Sequence, residues 1–353
     1  MTEDKLENFM LGSMLGDSIG LPFEGMSEAR VQRVLGYDSL RHKLLFGCGM
    51  VSDDTEHMLM AAKAWEHSGG DVEAFSQILA WRLRFWMLAL PAATGLATGA
   101  ACLKLIFGAP RKYAGSKKSA GNGPIMRSGI LGLLCSSDQD LKEFVISSSL
   151  LTHREQRAID GALVVALAAQ VAAQPGSNSQ MRETFKQKLQ TLLPQESEMR
   201  RAVLGALDAV KDGISLAEYV NSIAGQKKLV GFVMYTVPVA IHIWASNPAD
   251  FQGAIERSIR LGGDTDTLAA TVGGLVGIRA GKEQMPKEWL DKIIDYPNSV
   301  AYVQKVAAGL LNEDTRRKFT LRFLAQPPRN LIFLGIALSH GFMRLIPKPD
   351  RTR

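Results

Sequence analysis

Cysteine is scarce in this sequence, and the scarcity narrows its setting. Cys48, Cys102 and Cys135 are odd in number and show no paired metal spacing. Neither a disulfide framework nor a thiolate metal cage is expected, and a reducing cytoplasm is the expected location. The opening residues MTEDKLENFM are acidic where a secretory leader is basic and then apolar, so export is not expected. Long hydrophobic runs are also missing. The apolar core Leu331–Leu338 falls far short of the roughly 20 residues a membrane span needs. No Gly-Lys-Ser/Thr phosphate loop is present, which argues against a kinase or nucleotidase. None of the six histidines (His42, His57, His67, His153, His242, His340) forms a His-x-x-x-His zinc pair.

The body of the chain also lacks an excess of either charge. The net +6 lies in the tail, where nine basic residues after position 313 face Glu313, Asp314 and Asp350. Residues 1–312 sum to zero, so the basic pI gives no support for nucleic-acid binding by the body.

What is present is a helical pattern. Hydrophobic residues make up 46% of the chain, enough for a substantial core. Thr55–Glu66, Val72–Leu88, Arg157–Ala173, Met199–Asp212 and Val230–Trp244 space apolar residues at three- and four-residue steps. Sustained period-two alternation is hard to find. The expected fold is all-α, with residues 1–312 as one catalytic-sized domain and 313–353 as a basic tail. Pro327-Pro328 is expected to break any helix, with a short apolar helix after it. That helix is expected to pack on the domain or on a protein partner; peripheral membrane contact is the second reading.

Two acidic clusters carry the chemistry. Gly262-Gly263-Asp264-Thr265-Asp266-Thr267 reads as a sharp turn entering a helix. Ser52-Asp53-Asp54-Thr55 has the same composition at another helix start. Each alone also suits ordinary helix capping and complements the helix dipole. Together they offer paired carboxylates and hydroxyls, the hard oxygen ligands of Mg²⁺, Mn²⁺ or Ca²⁺, and one carboxylate from each could bridge two cations. Gly12, Gly16 and Gly20 give a helix face open to another backbone, and Asp17 within that stretch needs a buried partner. Glu24, just past Pro22, is free to reach a cleft as a general base, though alone it also reads as a surface acid. Gly121-Asn122-Gly123 and Gly95–Gly99 are turns whose backbone N–H groups could line a phosphate or ribose.

The ordered series GDSIGLPFEG, SDDTEHM, GNGPIMRSGILG, LTH, GFVMYTVPVA and LGGDTDTLAATVGGLVG, across roughly residues 8–295, resembles the ADP-ribosylglycohydrolase family. The resemblance implies a compact all-α domain with two Mg²⁺ (or Mn²⁺) ions at the base of an ADP-ribose cleft. It implies Ser52, Asp53, Asp54, Asp264, Asp266 and Thr267 as metal ligands, with Ser52 where many members have threonine. It assigns Glu24, Asp54 and Asp264 to catalysis, and Gly95, Gly99, Gly121, Asn122, Gly123 and His153 to nucleotide binding. The expected reaction is hydrolysis of ADP-ribose from a protein side chain, arginine-linked first, or from a small conjugate. Some arginine-directed bacterial members carry an aspartate where Ala93 and Thr94 stand here, which bears against that linkage. The alternatives are a non-catalytic ADP-ribose binder and a toxin-neutralising immunity protein docking through the tail.

Overall fold

The computed structural model describes residues 1–36, 39–92, 94–224, 231–311 and 321–345. Among them the fold is built from α-helices and short 3-10 turns, and β pairing is confined to isolated bridges. The all-α expectation holds. The periodic segments appear as helices Asp53–Ser68, Val72–Leu88, Gln156–Ala172, Glu198–Lys211 and Val233–Ser246. The boundary expected between residues 312 and 313 lies outside the described residues, as do Ala93, Arg316, Arg317, Lys318, Lys348, Arg351 and Arg353.

Four helices form the centre: Glu3–Gly20, Gln156–Ala172, Val233–Ser246 and Thr265–Ala280. Each is buried around most of its circumference, and such helices are apolar on all sides rather than striped. That explains their alanine and glycine content. The first and the last of the four lie backbone against backbone. A methyl group on Gly12 would stand 2.2 Å from the Gly273 carbonyl oxygen, on Gly16 2.0 Å from that of Ala269, and on Gly20 2.5 Å from that of Thr265. The close approach read from the four-residue glycine spacing is therefore met by a small-residue face on the partner. Its consequence is positional: Asp17 is drawn to the N-terminus of the Thr265–Ala280 helix, where the second aspartate cluster stands.

The C-terminal segment departs from expectation. Helix Gln326–Leu345 includes Pro327 and Pro328 in its first turn, where proline lacks only an N–H that no helical carbonyl would have bound. The prolines start this helix instead of breaking it. Its inner face is held on the body: Phe333 packs with Leu21, Leu44 and Met50, and the Asn330 side-chain amide donates to the Ala89 carbonyl at 2.8 Å. Leu331, Leu334, Leu338 and Phe342 face outward and are exposed. No described helix is long and apolar enough to cross a membrane.

Candidate functional site

The site begins at two helix starts brought face to face. At the first, Ser52 is the N-cap of Asp53–Ser68 and its hydroxyl accepts from the Asp54 N–H at 3.2 Å. The capping reading is thus correct for Ser52. A second cap comes from another helix. The buried Asp17 carboxylate accepts from the Ser52 N–H at 3.0 Å, from the Thr55 N–H at 3.1 Å, and from the Thr55 hydroxyl. Burial pushes the Asp17 carboxyl up to about 6 against these hydrogen bonds. Asp17 therefore has the buried partners its position demanded, and they are the orphan donors of this helix N-terminus.

At the second start, Gly262 and Gly263 take φ of 67° and 81°, a left-handed backbone in which side chains are strained. A methyl group on Gly262 would also stand 2.7 Å from the Met26 carbonyl oxygen. The Gly25 N–H donates to the Gly263 carbonyl at 2.7 Å, and the Gly263 N–H to the Met26 carbonyl at 2.8 Å. This exchange fixes Glu24, half-buried, beside Asp264. Asp264 occupies the N-cap position of Thr265–Ala280 without capping it. Its Oδ2 instead accepts from the Asn122 amide at 2.7 Å, and Asn122 also donates to the Thr236 hydroxyl at 2.8 Å.

The two clusters meet. The Thr267 hydroxyl donates to Asp54 Oδ2 at 3.0 Å, across 213 residues of chain. Asp54 and Asp266 are 2% and 4% exposed, yet Asp54 Oδ1 and Asp266 Oδ1 have no hydrogen-bond partner. Burial, then the charges of neighbouring carboxylates, hold Asp53, Asp54 and Asp266 well above the usual carboxylate range. The strongest charges on these groups are all negative. No three His, Cys, Asp or Glu side chains form a ready ligand cage among the described residues. The fit to a cation rests on orphaned buried carboxylate oxygens, which are hard donors, and on the negative charges that surround them. Divalent cations suit this donor set.

Above the aspartates lies a cleft of about 430 Å³. Glu24, Asp53, Asp264, Asp266 and Thr267 line its base; Gly95, Gly121, Asn122, Gly123 and His153 line its walls. Ser52 and Asp54 sit behind the lining. Gly95 is the N-cap of helix Leu96–Ile106, whose first residues Leu96, Ala97 and Thr98 face the cleft. Gly99 stands one turn in, its N–H bound to the Gly95 carbonyl at 2.9 Å, and is not part of the lining. Gly123 has no room for a side chain, because a methyl group there would lie 2.7 Å from the His153 ring and 2.8 Å from the Thr98 hydroxyl. The glycine loop thus lies flat on the imidazole.

Sequence reading did not give Arg127 a role of its own. It is 1% exposed and forms no ion pair among the described residues. Its guanidinium donates to the Gly123 carbonyl at 2.9 Å, the Ser148 carbonyl and hydroxyl at 3.0 and 2.8 Å, the Thr152 hydroxyl at 2.6 Å, and His57 Nδ1 at 3.1 Å. Burial lowers it to about 10, so it stays charged at neutral pH. Burial and then the Arg127 charge lower His153 to about 3, so His153 meets a ligand as a neutral imidazole. A buried cation satisfied only by neutral acceptors, directly behind the loop 121–123, is the one signal of an anion-binding wall that no spacing rule would have found.

The chain is similar to several known proteins. ADP-ribosylhydrolase ARH3 of Bos taurus is 29% identical over 228 residues, 57% of this chain and 61% of that protein, so the chain spans about three-fifths of that relative's length. ADP-ribosylarginine hydrolase Tri1 of Pseudomonas putida is 25% identical over 322 residues, covering 88% of this chain and 78% of that protein. A solved structure, an ADP-ribosylglycohydrolase-related protein complex, superposes with a TM-score of 0.67 at 22% identity over 89% of this chain and 99% of its own, a likeness of fold. The ADP-ribosylglycohydrolase family signature matches residues 1–319, which takes in both aspartate clusters, the glycine loops and His153: this chain belongs to the ADP-ribosylglycohydrolase family.

Proposed function

We propose that the protein hydrolyses the bond between ADP-ribose and a protein side chain, with Mg²⁺ or Mn²⁺ held by Ser52, Asp53, Asp54, Asp264, Asp266 and Thr267. The observation that carries this reading is the pair of unpartnered, buried oxygens on Asp266, at the base of the cleft, and on Asp54, just behind it. When bound, the cations supply Lewis-acid charge, orient ribose hydroxyls and make hydroxide available near neutral pH.

The chain's own groups do the rest. The free N–H groups that open helix Leu96–Ile106 receive the pyrophosphate, with the helix dipole aligned to it. Arg127 sets a fixed positive charge behind the same wall. Gly121 and Gly123 let the nucleotide approach the backbone, and neutral His153 offers its ring as a hydrogen-bond partner. Asn122 orients Asp264, and Thr267 orients Asp54, so two carboxylates are fixed before a ligand arrives. The Glu24 carboxylate, at the base of the cleft, accepts the proton released from the attacking water.

Arginine-linked ADP-ribose is the first substrate to offer. Full-length protein with Mg²⁺ is incubated with arginine-linked, serine-linked and small-molecule ADP-ribose conjugates, and free ADP-ribose is measured. Release that needs the metal and stops with a chelator supports the reading. Binding of ADP-ribose by titration calorimetry with no release from any conjugate would replace it with a non-catalytic binder.

A further inference from the structure

Arg329 lies outside the family match, which ends at residue 319, yet it reaches the stretch of backbone that delivers Ser52, Asp53 and Asp54. It is 6% exposed in the first turns of helix Gln326–Leu345. Its Nε donates to Asp295 Oδ1 at 3.1 Å, and Nη2 donates to Asp295 Oδ2 and, at 2.5 Å, to the Val51 carbonyl. The Val51 N–H in turn donates to Asp295 Oδ2 at 3.0 Å. Both polar backbone atoms of Val51 are therefore fixed by one ion pair, one residue ahead of Ser52, whose N–H is fixed by Asp17. Nη1 donates to Glu56 Oε1 at 3.0 Å. Glu56 also takes the Trp86 indole N–H at 2.6 Å, the Asn298 amide at 3.2 Å, and the amide of Gln326 on the same C-terminal helix. Two buried carboxylates beside the aspartates are thus fully engaged, and two residues of the added helix help to engage them.

We propose that Arg329 is a positioning residue for the divalent-cation site, supplied by a helix beyond the family domain. It pins Val51 and Glu56 so that Ser52, Asp53 and Asp54 enter their helix in a single geometry. The proposal rests on the metal reading of the cleft. Supporting groups of this kind usually change metal affinity by about 10–100-fold when removed. The planar fork of arginine serves three acceptors at once, which a lysine ammonium on a single stem does not reproduce.

The sign of the effect separates positioning from charge. A role through charge alone predicts that removing a cation tightens Mn²⁺ binding and that lysine matches arginine. Positioning predicts weaker binding in both variants. Mn²⁺ affinity is measured by electron paramagnetic resonance on the full-length wild type, Arg329→Met, Arg329→Lys, Ile336→Ala and Asp266→Ala, with thermal melts in parallel. Expected is an affinity loss of about 10–100-fold for Arg329→Met and a smaller loss for Arg329→Lys. Ile336→Ala, which loosens the same helix where it packs on the Leu21, Leu44 and Met50 cluster, is expected to lower the melting temperature with affinity near wild type. Phe333 does not separate the two effects, because its ring lies under the Arg329 guanidinium, 4.6 Å away. Tighter or unchanged Mn²⁺ binding in the arginine variants overturns the proposal, as does an equal affinity loss in Ile336→Ala. If Arg329→Met does not fold, Arg329→Lys decides alone. A wild type that binds no Mn²⁺, or an Asp266→Ala variant that binds it equally well, overturns the metal reading itself, whereas equal binding by wild type and the two arginine variants alone removes only the role of Arg329.

Discussion

Carboxylates are buried on both sides of the turn that starts helix Asp53–Ser68, and the two sides are built in opposite ways. Glu56 and Asp295 have an arginine between them, two side-chain amides, an indole and a backbone N–H. Asp53, Asp54, Asp264 and Asp266 have hydroxyls, one amide and each other, and two of their oxygens have nothing. On the Glu56 and Asp295 side the protein provides the counter-charge through Arg329. On the cleft side, that charge is left for something that binds. Burying an ion without compensation costs several kcal/mol, a cost that a cation of the proposed kind would repay on binding.

The contrast can be broken most forcefully at the uncompensated side. Asp266→Ala is expected to reduce ADP-ribose release by about a thousandfold, the upper range for losing one preorganised electrostatic group, and to abolish the rise in melting temperature that Mn²⁺ gives the wild type. Near-normal turnover with a chelator present would erase the distinction between the two sides. At the compensated side the damage is to the fold. Arg329→Met leaves Glu56 and Asp295 buried and unpaired, and is expected to cost about 3–5 kcal/mol in urea unfolding. A loss below about 1 kcal/mol would mean that the arginine is not their structural counter-charge.

Asp266→Asn sharpens the comparison from the other direction. The Asp266 carboxyl is held above its usual range, so its charged form disfavours the folded state, and that penalty grows as pH rises through the raised value. Without metal at neutral pH, the neutral isostere is expected to be more stable than wild type by about 0.5–2 kcal/mol; with metal the order reverses. A metal-free variant less stable than wild type would show the cluster to be structurally content. The smallest expected effect is at His153. Its folded value near 3 lies below the ordinary 6.5, so the unfolded chain takes up a proton that the folded one refuses. The stability from this group is present above pH 6.5 and is lost as pH falls toward 3. His153→Asn is expected to flatten that acid slope by up to about one proton, read from urea melts at pH 4.5 and 7.5.

Much of this was legible in the sequence, and for reasons that can be named. The helices follow from apolar spacing because most of the chain is local helix packed into one core. The paired clusters were visible because both combine turn-forming glycine or serine with adjacent acids at a helix start. The close approach of the first helix was visible in the four-residue spacing of Gly12, Gly16 and Gly20. Arg127 and Arg329 were not, since a buried arginine and a surface arginine look alike until long-range contacts are formed. Gly99 shows the complementary limit: a glycine pattern marks a helix start, but not which turn of that helix faces the ligand. Pro327 and Pro328 show a third, because a proline pair stops the helix before it yet opens the one after it, and the pair alone does not say which.

The glycine seam between the first helix and Thr265–Ala280 acts as a calliper for the chemistry. Main-chain atoms of one helix rest on main-chain atoms of the other, so the place of Asp17, whose side chain holds the start of helix Asp53–Ser68, is set against the second aspartate cluster by the least adjustable parts of the molecule. Side chains around the cleft can drift in evolution and alter which conjugate is admitted. The jaw width cannot drift with them.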